Sequence, residues 1–502
     1  MAIRGDTVAD KAEMGDVERS PSSQNADPET LEVTAAQNRR LLLKTDMVIM
    51  PMAILCMTLA FLDKNALGYA ALFGLKEDNN LKGQDYSWLG SIFYFGYLAM
   101  ELPSIWLITK VPIGKFIGIC VVLWGAALCL MAVCHNFAGL ATIRFFLGVF
   151  EAALLPCMLV INSMWYLREE QPLRTAFWYN TFAGVFGGIL SYAIGGIKGS
   201  IATWKLIFLI YGAVTVLTGV VLFFGLPDSP SQAWFFTPEE RKLAIARLAA
   251  NQTGTDVRKK FNNRQILEAF RDPRCYCVWV CVFGYAIANA GITNFNPLII
   301  SGYGFTPTKT TLMATPQAAV AMVSGAVLTT VSYFVPNLRC VFWTISSLIG
   351  MAGAVMVHSL DPTANRNASL AGVYIMGFYN VPWVFMLSLQ SSNTAGATKK
   401  SFMGVSVAIV YAVGNIVGPQ LFLSTQAPRY QLGIGAMIFA FALMAAAGIV
   451  YYLLCVAENR RRDSAHGDPA VAPATLHDGE VVLEEDKDDL TDIQNTAFRY
   501  TY

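Results

Sequence analysis

Charge is scarce in this sequence. Asp, Glu, Lys and Arg together make up 14% of it, whereas an average soluble domain carries roughly a quarter. Such a composition excludes an ordinary soluble domain, and 55% hydrophobic residues with a mean hydropathy of +0.45 point instead to a polytopic membrane protein. Cysteine pairing is missing too. The ten cysteines fall almost entirely inside apolar runs, so they read as small packing residues rather than a disulfide framework. Cys275, Cys277 and Cys281 come closest to a cluster but lack the second Cys or His set of a metal site, and no metal or other cofactor is expected. No secretory leader is expected, since residues 1 to 38 are polar and mixed in charge, and the first apolar run is expected to act as the signal anchor. A net charge of +1 says little about partners, and no nucleic-acid partner is expected of a membrane protein of this composition.

What is present is a series of apolar runs, each near the roughly 20 residues that cross a bilayer. Twelve are found, at about 47–72, 86–108, 116–135, 139–166, 175–197, 204–225, 276–298, 309–335, 340–359, 369–392, 402–424 and 433–456. The fold class is therefore an all-α membrane protein of twelve transmembrane helices in two six-helix bundles. With the N-terminus inside, the inner flanks and loops hold 22 Lys and Arg, including nine between Leu226 and Cys275, and the outer loops hold at most seven. The positive-inside rule then places both termini in the cytosol.

The domain reading follows. Residues 1–46 form a disordered cytosolic tail, 47–226 the first bundle, 227–275 a central cytosolic loop, 276–456 the second bundle and 457–502 an acidic disordered tail. Inside the loop, Thr237, Pro238 and Glu240 read as N-cap, N1 and N3 of a helix. Leu243, Ile245 and Leu248 give that helix an apolar side for the inner membrane surface.

Charges inside spans cost about 2.5–3.5 kcal/mol each on insertion scales and usually face a polar cavity or a partner. Here they are confined to the first half: Asp63 and Lys64, Glu101, and the Arg144 and Glu151 of "IRFFLGVFEAALLP". Seven residues of helix amount to about 700° and a rise of about 10.5 Å, so Arg144 and Glu151 share a face two turns apart, with Gly148 between them. At that position the missing side chain leaves room for a ligand or a neighbouring helix. The second half offers neutral groups instead: Asn289, Thr293, Asn294, Asn296, Asn380 and Asn415. Asn289 and Asn296 share a face, and one or both are expected to line the path, whereas Asn294 lies about 140° from Asn289.

Two readings of the five charges compete. They are a structural ion network clamping spans 1, 2 and 4, or they bind substrate and protons. An acid balanced between burial and a nearby cation can exchange a proton as its partner changes. Arginine cannot, but its planar fork suits a carboxylate.

Several stretches resemble the anion:cation symporter family of the major facilitator superfamily, within it the fungal allantoate permease branch. They include "FLDKNALGYA", "YFGYLAMELPSIWLITK", "IRFFLGVFEAALLP", "WYLREEQPLRTAFWYN", "LPDSP" with "TPEERKLAIARL", "GNIVGPQLF", "APRYQLG" and "DLTDIQNTAFRY". The resemblance implies the major facilitator fold, no enzyme activity, and proton-coupled import of a small organic anion or vitamin-like carboxylate of the allantoate, nicotinate or pantothenate class. The carrier is expected to be a monomer in the plasma membrane. Asp63 and Glu151 are implied as proton-coupling carboxylates and Arg144 as an anion-binding or coupling cation, and the membrane carboxylate Glu101 joins the candidate proton-coupling acids. Lys64, Asn289, Asn296, Asn380 and Asn415 complete the candidate substrate site. Lys64 stands where the family usually has Arg, and an ammonium is a point charge rather than a fork. The alternative is an exporter or proton antiporter of a fungal secondary metabolite or toxic compound. The fifth-span run "AGVFGGILSYAIGG" lacks the Gly-Pro pair frequent in drug antiporters of the superfamily. His358 reads as an interfacial side chain, and Asn367 as a glycosylation sequon too close to span 10 for use.

Overall fold

The computed structural model describes residues 34–167, 169–178, 182–249, 262–362, 364–466 and 489–502. Among them regular structure is helical, with no strand. In chain order the helices are α1 (Ala35–Leu72), α2 (Leu75–Asp78), α3 (Asp85–Ile108), α4 (Ile113–Met131), α5 (Phe137–Glu151), α6 (Leu154–Trp165), α7 (Gln171–Trp178), α8 (Phe182–Gly195) and α9 (Thr203–Gly225). They continue with α10 (Pro238–Ala249), α11 (Asn263–Arg271), α12 (Pro273–Ser301), α13 (Pro307–Phe334), α14 (Arg339–Ser359), α15 (Arg366–Ile375), α16 (Asn380–Asn393), α17 (Ala397–Gln420) and α18 (Gln431–His466). Among the described residues eleven spans are long and apolar enough to cross a bilayer, and the shorter apolar helix Ala183–Gly195 occupies the place of the expected fifth.

Among the described residues two spans are broken, each just ahead of a proline. The fourth, Phe137–Trp165, parts at Ala152 and Ala153, and the tenth, Arg366–Asn393, parts at a 3₁₀ turn, Met376–Tyr379. Pro156 has no N–H for the carbonyl of Ala152, and Pro382 has none for that of Phe378. Broken helices at corresponding places in the two halves of a carrier point to its binding site, because the freed backbone must face a polar cavity or be buried in protein.

The helices pack in two groups. In the first, α3 lies along α5, α4 along α9, and α1 against α8 and α9; in the second, α12 lies along α17 and α18, and α14 along α15, α16 and α18. Among the described residues the main pairings that join the groups are α1 with α12, α3 with α17, and α8 with α13. Hydrogen bonds between the groups concentrate at the end of the bundle far from Ala35, the central segment and His466. There Tyr86 Oη donates to Asn294 O (2.7 Å), Ser91 Oγ to Ile416 O (2.6 Å), Ser87 Oγ to Phe422 O (3.3 Å) and Gln84 Nε2 to Gln420 O (3.2 Å). This far end is sealed.

The central helix α10 begins with the expected box: Thr237 Oγ1 accepts from the Glu240 N–H and Glu240 Oε2 from the Thr237 N–H. Its anchoring differs from expectation. Glu240 pairs with Lys44 and Arg40 of α1, and Arg247 with Glu170, while Ile245 is exposed on another side. Ion pairs to the first group, not the apolar side alone, hold this helix.

Both tails are corrected in part. Residues 35–46 form the first turns of α1 behind a Thr34–Gln37 capping box, and residues 457–466 continue α18. Residues 489–502 are packed against the second group. Asp492 accepts from Lys399 Nζ (2.8 Å), which also meets Glu268 and Asp272. The ring of Tyr500 lies under the Arg274 guanidinium at 3.6 Å, and Asn393 binds the backbone of Thr501. An acidic composition suggested disorder because it gives no sign of the buried cations that receive it.

Candidate functional site

Near the middle of the bundle, the charged residues of the first group separate into two sets. Lys64 of α1 reaches Glu151, the last residue of α5, with Nζ 2.9 Å from Oε1. Its neighbour Asp63 is fully buried and accepts from Thr215 Oγ1 of α9 at 3.3 Å. Arg144 donates from Nε to Leu89 O on α3 (3.1 Å) and lies 5.3 Å over the Phe93 ring. Glu101 stands apart, with Tyr97 as its side-chain partner.

Several atoms of these five charged residues have no hydrogen-bond partner among the described residues. They are Arg144 Nη1, Glu151 Oε2, Asp63 Oδ1 and Glu101 Oε2, all buried. Buried polar atoms of folded chains are nearly always partnered, so unpartnered ones on facing charged groups are where a ligand, proton or water belongs. Gly148 serves the neighbouring helix rather than a ligand: a β-carbon there would collide with the Phe93 carbonyl of α3.

The second group contributes amides and rings. Asn289 Nδ2 donates to Asn415 Oδ1 (2.9 Å) and to Tyr411 Oη (3.3 Å), joining α12 to α17. Tyr285 Oη donates to Asn380 Oδ1 at 3.4 Å, just past the break in the tenth span. Asn296 lies further toward the far end, where its Nδ2 meets Gln317 Oε1 of α13 at 3.4 Å. Asn294, on a different side of α12, sits in the far-end seal, receiving Tyr86 on its carbonyl. The structure thus brings Asn289, Asn415 and Asn380 toward one place and leaves Asn296 outside it.

Sequence reasoning missed the rings that complete this wall. Tyr285 stacks on Trp383 (centroids 4.6 Å, planes 15° apart) and on Tyr379 (5.5 Å, 8°), and Trp383 lies 5.5 Å from Tyr411. Tyr94 of α3 meets Tyr411 edge-on at 6.0 Å and bonds its hydroxyl, linking the two groups at this depth. The signal available was "YNVPW": a proline between aromatic residues within a span marks the break that turns Tyr379 and Trp383 inward. One wall is therefore charged, the other aromatic and amide-bearing, a combination that suits a small anion with a planar or polar body.

Comparisons with known proteins agree with this architecture. The Major Facilitator Superfamily profile matches residues 53–419. An uncharacterized transporter of Schizosaccharomyces pombe is 36% identical over 98% of this chain and 94% of that one. The allantoate permease of Saccharomyces cerevisiae is 29% identical, covering 94% of this chain and 88% of the permease. Among solved structures, that of a D-xylose-proton symporter superposes with a TM-score of 0.62 over 80% of this chain and 96% of that chain, at 11% identity, a likeness of fold alone.

Proposed function

This chain belongs to the Major Facilitator Superfamily and is a multi-pass membrane transporter, and from that premise we propose that it imports a small organic carboxylate together with protons. The observation that carries the proposal is the Lys64–Glu151 ion pair beside the unpartnered Nη1 of Arg144. An entering carboxylate takes the free edge of the Arg144 fork and competes with Glu151 for Lys64. Glu151, deprived of its cation in a buried setting, is then neutralised by a proton. Substrate and proton are thereby bound together. The body of the substrate rests on Tyr285, Trp383 and Tyr411, and Asn289, Asn380 and Asn415 bond its polar edges.

Residues 47–226 and 276–456 serve as the two rocking bodies, and the far-end seal is the outer gate. In this reading the carrier acts as a monomer in the plasma membrane with both termini cytosolic, in keeping with the excess of Lys and Arg at the terminal end. A negative-inside potential opposes anion entry by about 2.3 kcal/mol per charge per 100 mV, and one proton cancels that for a monoanion. Asp63, hydrogen-bonded to Thr215, and Glu101 are the second and third acids available to the proton.

The test is uptake of labelled carboxylates and their neutral amides in cells carrying this chain, with external pH varied. Accumulation of an acid, stronger as the medium is acidified and absent for its amide, is the expected result. Net export of a preloaded compound, with no accumulation of acids, would replace the import reading with the antiporter one.

A further inference from the structure

A cavity of about 110 Å³ lies outside the seal, between the two groups of helices at the far end. On one side stand Lys76, Gln84 and Tyr86, and on the other Phe295, Phe422 and Tyr430. None of these belongs to the central site. The local sequence explains the placement of the cation: Gly74, at φ 96°, turns the chain sharply after α1, so the short helix α2 carries Lys76 back over the mouth.

The Lys76 ammonium lies 4.3 Å over the Tyr86 ring and makes no ion pair or hydrogen bond with any described residue. Burial holds its pKa below the ordinary lysine value, with the nearby Glu77 opposing the shift. A partly desolvated cation without an anion is the reverse of what folding alone favours. Phe295 and Phe422 stack at 4.3 Å with planes 14° apart, and Tyr86 meets Phe295 edge-on at 5.4 Å. Tyr86 also closes the floor through its bond to Asn294 O.

We propose that this cavity is an outer receiving site for small monocarboxylates, whose carboxylate rests on Lys76 and whose body lies between Leu81, Tyr86 and Tyr430. The proposal rests on the anion-carrier reading, since it gives the same cargo an earlier stop. The cavity is several times the about 10–15 Å³ that a single water needs, so it has room for a small carboxylate. Tyr86 belongs both to the floor of this cavity and to the seal. A ligand that displaces it from Asn294 loosens the contact that must open for passage inward.

The test uses the purified full-length protein with benzoate as probe and benzamide as its neutral isostere. Acetylation of individual lysines by an impermeant acylating reagent is followed by mass spectrometry, with exposed Lys198, away from the cavity, as the internal reference. Benzoate is expected to slow acetylation of Lys76 saturably, by about fivefold at four times its dissociation constant, with Lys198 unaffected and benzamide without effect. The protection is expected to persist in Arg144→Lys, which alters only the central site. Equal protection by benzamide, parallel slowing of Lys198, or loss of protection in Arg144→Lys would each overturn the proposal. Acid and amide taken up equally by wild type, with Lys76 still protected by benzoate alone, would instead overturn the carrier reading and leave the outer site standing.

Discussion

Lys64 binds Glu151 of α5 while Asp63, the residue before it, turns to Thr215 of α9. One dipeptide thus divides its two charges between two helices. The two acids are consequently unequal: Glu151 has a cation that an anionic substrate can take, and Asp63 has only a hydroxyl.

In the proposed mechanism that inequality assigns proton coupling to Glu151. Glu151→Gln keeps the shape and removes the titratable group. Concentrative uptake is expected to fall to background, while exchange of labelled for unlabelled substrate across the membrane is retained. A variant that still accumulates substrate with the wild-type pH dependence would transfer the role to Asp63 or Glu101.

The rings of the second wall give a separate expectation. Trp383→Ala removes the surface on which Tyr285 stacks, and KM for a planar acid is expected to rise about tenfold, equivalent to about 1.4 kcal/mol. Trp383→Phe is expected to restore most of it. An unchanged KM in the alanine variant, at matched surface level, would remove the aromatic wall from the substrate site.

How far the sequence reaches is visible in these residues. Twelve apolar runs read directly because a span has a fixed length, and the five membrane charges read directly because each is costly there. Helical geometry also placed Asn289 and Asn294 on different sides of α12, where one joins the central wall and the other the far-end seal. Which partner each charge takes was beyond it. The Lys64–Glu151 pair spans α1 and α5, and no local pattern encodes the packing that brings those helices together. The aromatic wall failed for a related reason, since aromatic residues in apolar runs also face lipid, and only the break before Pro382 distinguishes these. The tail failed on composition: ten acidic against two basic residues after Arg462 describe a solvated segment unless a buried Lys399 and Arg274 await it.

The tail supplies a prediction of stability. Asp492→Ala takes one of three carboxylates from the buried Lys399 and a hydrogen bond from Tyr500. A cost of about 3 kcal/mol is expected, at the low end for a broken buried pair because Glu268 and Asp272 remain. The acid limb belongs to Asp272. Burial acts to raise its pKa, but Arg274 and Lys399 outweigh burial and hold the carboxyl below its ordinary value. Its contribution is therefore present above an unfolded value of about 4 and lost as pH falls through the folded one. Burial of Asp492 shifts that carboxyl the other way despite Lys399, so its contribution is present in acid and fades as pH rises. Thermal unfolding followed from about pH 7 to about pH 3 should show a weaker acid loss in Asp272→Asn than in wild type, from a lower starting stability. The same acid loss in both would assign it elsewhere.

The central claim is that Arg144 reads the charge of the substrate, and one comparison tests it most directly. Uptake of an acid and of its neutral amide is measured in wild type and in Arg144→Lys, with surface level matched. Lysine keeps the charge and loses the planar fork whose Nη1 is free here. Wild type is expected to prefer the acid strongly, and the variant, still reaching the surface, to lose most of that preference. Equal discrimination by both proteins, or loss of the variant from the surface through failed folding, would show that Arg144 is a structural clamp and contradict the account.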